Sequence, residues 1–253
     1  MNYNFLNELE VPILPPSIIP FDPGYDPNTF IGHIEQSHHL IKAFKISMAS
    51  WIIMNENALK SKIDCLKRFK IPIIAGGGLF EIAHVRGKID QYLDLCSRVG
   101  FDIIEVSQGF TKSILDPIFI VSTAKKYNLS VQYEIGEKLG GAFNTKDISS
   151  YIQAAKQWLR SGAIQIVIEA REDAVNVGLF DTNGDLMKDL AALLLSEFED
   201  RISLLQFEGP TKKSQFQLID FFGSKAIISN VRLEEIIRVE IYRLGLHSKS
   251  FKN

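Results

Sequence analysis

Three stretches decide the fold. They are Phe101-Asp102-Ile103-Ile104-Glu105-Val106-Ser107, Ser130-Val131-Gln132-Tyr133-Glu134-Ile135 and Ala163-Ile164-Gln165-Ile166-Val167-Ile168-Glu169. Each is a short apolar run that meets a loop at a glutamate, and Gln206-Phe207-Glu208 repeats the pattern further on. Successive glutamates lie about one strand, one helix and two loops apart. If the runs are parallel strands, the four carboxylates share one end of a sheet and converge.

Working outward, β-type runs at Ser17–Phe21, Ala43–Ser47, Ile71–Ala75, Ile202–Phe207 and Ala226–Ser229 bring the number to eight. All are rich in Ile, Val or Phe with little alternation, as expected for strands covered on both faces. Amphipathic patterns at Ile82–Val99, Asp147–Ser161, Leu186–Phe198 and Leu233–Leu244 predict helices between them. Gly100 and Gly162 stand where left-handed helix stops belong, and Asp26-Pro27 and Thr145-Lys146-Asp147 read as helix starts. Eight strands alternating with helices predict an α/β fold, a single closed (β/α)8 TIM barrel with a parallel eight-stranded sheet. The competing doubly wound sheet wants a Gly-rich loop after its first strand, and Phe21-Asp22-Pro23-Gly24-Tyr25 is not one. The barrel is expected over residues 17–253. Residues 1–16, with Pro12, Pro15 and Pro16, are expected to form an extended lead-in strapped across it.

The 253 residues are 46% hydrophobic and 23% charged with a net charge of −2, which excludes a nucleic-acid or membrane-surface footprint. No apolar run approaches the roughly 18 residues of a membrane span. Met1–Phe5 lack the features of a signal peptide. Cys65 and Cys96 fall on apolar helix faces and read as buried thiols of a cytoplasmic protein. His33, His38, His39 and His84 form no metal-ligand constellation, and no Ser-His-Asp or Cys-His set is evident.

In such a barrel the chemistry sits at the C-terminal strand ends. Those ends carry Asp22, Lys45, Gly76-Gly77-Gly78, Glu105 with Ser107, Glu134 with Glu137 and Lys138, Glu169 with Arg171, Glu208 with Lys212 and Lys213, and Asn230. Two carboxylates about 4 Å apart repel by about 4 kcal/mol at an effective dielectric near 20. Four must be offset by Lys45, Lys138 and Arg171, by a divalent ion, or by both. Oxygen-only ligands point to Mg²⁺ rather than zinc, with Glu105, Glu134, Glu169 and Glu208 as candidate ligands. Gly77 and Gly78 read either as a tight turn or as backbone approaching a ligand, and Lys212-Lys213 as a helix start or part of a phosphate site.

Several segments resemble the phosphosulfolactate synthase family. Ala75-Gly76-Gly77-Gly78-Leu79-Phe80-Glu81 is similar to its P-G-G-T-L-F-E segment. Ile104–Ser107, Tyr133–Lys138, Ile168–Glu172, Gly178–Asp181, Phe207–Pro210, and Glu240 with Arg243 and Gly245-Leu246 match in order and spacing. The resemblance implies Mg²⁺-dependent addition of sulfite to phosphoenolpyruvate, in a homo-oligomeric barrel. It implies Lys138, Lys45, Glu134 and Arg171 as catalytic residues. Asp22, Gly77, Gly78, Ser107, Lys212 and Asn230 are expected to bind substrate. The chain departs from the family at Pro23 and His247, where cations are usual, at Gln108 in place of an Asp, and at Glu137, with the expected lysine one residue later at Lys138. Those departures leave open the same metal-enolate chemistry on another phosphorylated or carboxylate substrate, or a non-catalytic member related to plant heat-stress-associated proteins.

Overall fold

Parallel pairing runs without a break around eight strands, each bonded to the next and the eighth to the first. The computed structural model describes residues 3–111 and 113–251. The strands are β1 (Ile18–Asp22), β2 (Phe44–Ile46), β3 (Ile73–Ala75), β4 (Ile103–Val106), β5 (Ser130–Ile135), β6 (Gln165–Ile168), β7 (Leu205–Glu208) and β8 (Ile227–Val231). This is the expected (β/α)8 barrel, with helices outside the ring. Among the described residues no helix is long and apolar enough to cross a membrane.

Successive strand residues point to opposite faces. Outward residues such as Phe44, Ile46, Ile104, Val131, Ile166 and Phe207 join the helices in one continuous core. Inward residues divide by height. Ile19, Ala43, Ile74 and Ile227 form a small separate apolar floor with Ile103 packed on it. Two residues further along the same faces come Lys45, Glu105 and Ser229, and above Gln132 and Gln206 come Glu134 and Glu208. The polar layer is therefore a direct product of strand periodicity. Tyr133, on the outer face beside Glu134, stacks on Trp158 with centroids 4.4 Å apart and locks β5 to helix Thr145–Ser161.

Local signals placed the helix ends closely. Asp26 caps Pro27–Ser37, accepting from the Asn28 and Thr29 N–H groups, and Gly100 and Gly162 adopt φ of 103° and 105° as C-caps. The cap of Thr145–Ser161 is Asn144, one residue earlier than expected. Three expectations need correction. The strand expected over Ile202–Phe207 is Leu205–Glu208, because the chain up to Leu204 forms a 3-10 helix. The single helix over Ile82–Val99 is two, Gly78–Val85 and Ile89–Val99, because Gly87 at φ 63° closes the first and turns the chain. The lead-in is not extended throughout, since Tyr3–Glu8 form a short helix before the prolines. Cys65 and Cys96 are buried free thiols.

Candidate active site

The mouth of the barrel at the C-terminal strand ends opens into a cavity of about 390 Å3. Lys45, Gly77, Gly78, Glu105, Lys138, Glu169, Arg171, Glu208 and Asn230 all contribute to its wall. Three residues that line this cavity, Met48 after β2, Arg171 after β6 and Asn230 near the end of β8, hold positive φ of 52°, 55° and 54°. Left-handed backbone at non-glycine residues costs energy and gathers at functional sites.

The carboxylates fall into two pairs. Glu105 and Glu208 share Lys45, whose Nζ lies 3.2 Å from Glu105 Oε2 and 2.8 Å from Glu208 Oε1. Their remaining capacity is engaged as well: Gln132 Nε2 and the Gly77 N–H donate to Glu105, and the Ala170 N–H donates to Glu208 Oε2. Burial opposes the Lys45 ammonium, but the charges of Glu105 and then Glu208 outweigh it and raise its pKa.

Glu134 and Glu169 form the other pair, with Lys138 between them. Its Nζ lies 3.4 Å from Glu134 Oε1 and 3.1 Å from Glu169 Oε2. Burial drives the Glu134 carboxyl well above the usual range, the Glu169 charge adds to this, and Lys138 opposes it. Glu169 moves the other way. Burial pushes it up, but Lys138, with the adjoining Glu134 and Glu208 carboxyls and the Arg171 N–H, brings it below the usual range. The two carboxyls are thus driven in opposite directions, Glu134 up and Glu169 down.

Apart from the Lys138 contacts, no donor is aligned on Glu134 Oε1 or Glu169 Oε2, although both atoms are buried. They are hard oxygen donors, and the Lys138 ammonium is the cation beside both. Mg²⁺ takes one or two protein carboxylates and completes its shell with substrate and water, so this pair fits it. Among the described residues, no three His, Cys, Asp or Glu side chains form a closed metal cage. The pair Glu105 and Glu208, also expected as ligands, has both oxygens of each carboxylate already engaged.

The turn after β5 separates two neighbours. Glu137 is exposed, whereas Lys138 reaches inward. Arg171 Nη1 donates to the Lys138 carbonyl at 3.1 Å, and its other amino group donates to Val175 O. The guanidinium thus fastens the loop after β6 at the cavity edge.

Three expected substrate contacts lie elsewhere. Asp22 is fully buried, 2.6 Å from Lys62 Nζ, and accepts from the Gly24 and Tyr25 N–H groups. An aspartate needs such a partner when water cannot reach it. Ser107 is buried behind the wall and donates to Glu81; an added Cβ at Gly77 would sit 2.6 Å from its hydroxyl, so the glycine lets these loops touch. Lys212 extends over the Phe216 ring at 5.5 Å on the first turn of helix Lys212–Phe222, outside the cavity wall, and Lys213 pairs with Asp185. Sequence reasoning missed Gln132, which braces Glu105. Its signal was a polar residue two places before Glu134, hence on the same inner face.

The sequence profile of (2R)-phospho-3-sulfolactate synthase (ComA) matches residues 19–249. Phosphosulfolactate synthase of Methanocaldococcus jannaschii is 29% identical over 231 residues, covering 91% of each chain. The Methanothermobacter thermautotrophicus protein of the same name is 26% identical, covering 89% of this chain and 87% of its own. The Bacillus subtilis one is 25% identical, covering 91% and 90%. Among solved structures, an oxaloacetate acetylhydrolase matches with a TM-score of 0.50 at 13% identity, covering 94% of this chain and 85% of its own. A 3-hexulose-6-phosphate synthase matches with a TM-score of 0.50 at 15% identity, covering 85% and 87%. These two speak to the barrel fold alone.

Proposed function

The chain belongs to the (2R)-phospho-3-sulfolactate synthase family, and from that premise we propose that it adds sulfite to phosphoenolpyruvate with Mg²⁺ as cofactor. The observation that carries this reading is the Lys138 ammonium held between Glu134 and Glu169 at the barrel mouth, while Glu137 faces out.

In the proposed reaction the sulfur lone pair of sulfite attacks C3 of the enol phosphate. The C2–C3 π electrons move towards the substrate carboxylate, giving an enediolate. A proton then arrives at C2, the carboxylate re-forms, and the product is 2-phospho-3-sulfolactate. Lys138 is the proton donor in this reading, and the neutral amine left behind recovers a proton from solvent. Glu134 and Glu169 keep the lysine charged and aimed into the cavity. They would also hold Mg²⁺, which when bound supplies positive charge for the oxygens where negative charge accumulates. Lys45 gives the floor of the cavity a second fixed cation. Arg171 and the first turn of Gly78–Val85 offer charge and N–H groups for phosphate and carboxylate. Asn230, whose buried Oδ1 has no partner, is suited to a donor group of the substrate or its hydration. A cytoplasmic homo-oligomer belongs to the same proposal. It is supported by the free buried cysteines and by the exposed apolar Ile53, Ile114, Ile118 and Leu139.

The test is to mix the protein with phosphoenolpyruvate, sulfite and Mg²⁺ and follow 31P NMR and mass spectra. The expected result is loss of the enol phosphate signal and a product heavier by one sulfite and one proton. Unchanged phosphoenolpyruvate at high protein concentration would contradict the reading.

A further inference from the structure

Glu81 lies on the helix Gly78–Val85, is 1% exposed, and takes no direct part in the lysine–carboxylate cluster. Its carboxylate gathers five donors from one short loop. Ser107 Oγ and the Gly109 N–H donate to Oε1 at 2.6 and 3.0 Å. The Phe110 N–H, the Thr111 N–H and Thr111 Oγ1 donate to Oε2 at 3.1, 2.8 and 2.9 Å. A charged acceptor with this many donors fixes the loop after β4 in one shape.

That loop in turn holds Lys138. The Gly109 carbonyl accepts the Lys138 N–H at 2.8 Å. The lysine stem lies where a Gly109 side chain would be: an added Cβ would sit 2.8 Å from Lys138 Cγ and 2.9 Å from Cε. On its other side the Lys138 carbonyl accepts from Arg171 Nη1. The lysine backbone is therefore clamped between two loops, and one of them takes its shape from a buried carboxylate on a different helix.

We infer that Glu81, acting through Gly109, is a positioning residue that sets where the Lys138 ammonium stands. The inference rests on the proposed role of Lys138 for its kinetic consequence and not for its structural one. A loop fixed by five donors onto one carboxylate loses that shape when an amide takes its place, because the amide NH2 faces N–H groups. A displacement of about 1 Å at a proton donor can cost about 100-fold in rate.

The test uses Glu81→Gln and Gly109→Ala in the full chain, which disturb the same contact from opposite sides. Amide hydrogen exchange at Lys138 is read first, since it needs no turnover. Its protection should fall by at least about tenfold in Glu81→Gln. A purely local role for Glu81 would loosen the Phe110 and Thr111 amides and leave Lys138 unchanged. With phosphoenolpyruvate, sulfite and Mg²⁺, both variants should lose at least about tenfold in kcat with KM values within about twofold. If Glu81→Gln does not fold, Gly109→Ala decides by the same kinetic readout, or by a shifted Lys138 side-chain NMR signal. Unchanged Lys138 protection, or unchanged kcat in a folded variant, overturns the inference. Loss of protection at Lys138 in a protein that shows no sulfite addition at all would keep the positioning and discard the reaction.

Discussion

Lys45 Nζ lies 2.8 Å from Glu208 Oε1 inside the barrel, with both side chains almost wholly shielded from water. Removing one member of a buried charged pair leaves the others without compensation. Lys45→Met should therefore cost about 3 to 5 kcal/mol of stability, seen as a lower urea midpoint. Adding Glu208→Gln to it should recover part of the loss, because the two sites share one interaction. Equal urea midpoints for Lys45→Met and the wild type would show that the barrel tolerates the naked carboxylates.

Metal binding should divide the four glutamates. Glu134→Gln and Glu169→Gln each remove an oxygen that has only Lys138 beside it, so Mg²⁺ affinity by calorimetry should fall at least about tenfold. Glu105→Gln touches a carboxylate already engaged by Lys45, Gln132 and Gly77, and affinity should stay within about threefold. Chelation with EDTA should abolish turnover and Mg²⁺ should restore it. The reverse order, with Glu105 the sensitive position, would place the ion lower in the barrel.

Asp22 and Lys212 should behave as structural and as surface residues. Asp22→Ala strands Lys62 in the interior and should cost about 3 to 5 kcal/mol in chemical denaturation. It should leave the KM for phosphoenolpyruvate within about twofold in whatever fraction stays folded. Lys212→Ala should change stability by no more than about 0.5 kcal/mol and leave KM unaltered. A large KM effect at either position would extend the substrate site beyond the cavity.

The barrel was legible because strand spacing and the glutamate at each strand end both obey the two-residue period of a strand and the fixed length of a βα unit. That period alone brought Glu105, Glu134, Glu169 and Glu208 to one mouth. Partner choice was not legible. Nothing in sequence order says that Lys45 joins β4 to β7, or that Asp22 turns to Lys62 rather than to the cavity, since these contacts depend on barrel closure. Glu137 and Lys138 differ by one position, and only the conformation of the turn after Gly136 decides which enters the mouth. The break at Gly87 within Ile82–Val99 escaped because one glycine in an apolar helical pattern is as compatible with a tolerated residue as with a stop.

The most direct test of the account compares wild type with Lys138→Met, in which the ammonium is lost and the stem kept. Both are incubated with phosphoenolpyruvate, sulfite and Mg²⁺ in D2O, and the product is read by mass spectrometry and NMR. The account predicts that the wild type forms 2-phospho-3-sulfolactate carrying one deuterium at C2. It predicts that Lys138→Met binds phosphoenolpyruvate but turns over at least about 100-fold more slowly. Product formed by Lys138→Met at the wild-type rate, or no product from the wild type, would contradict it.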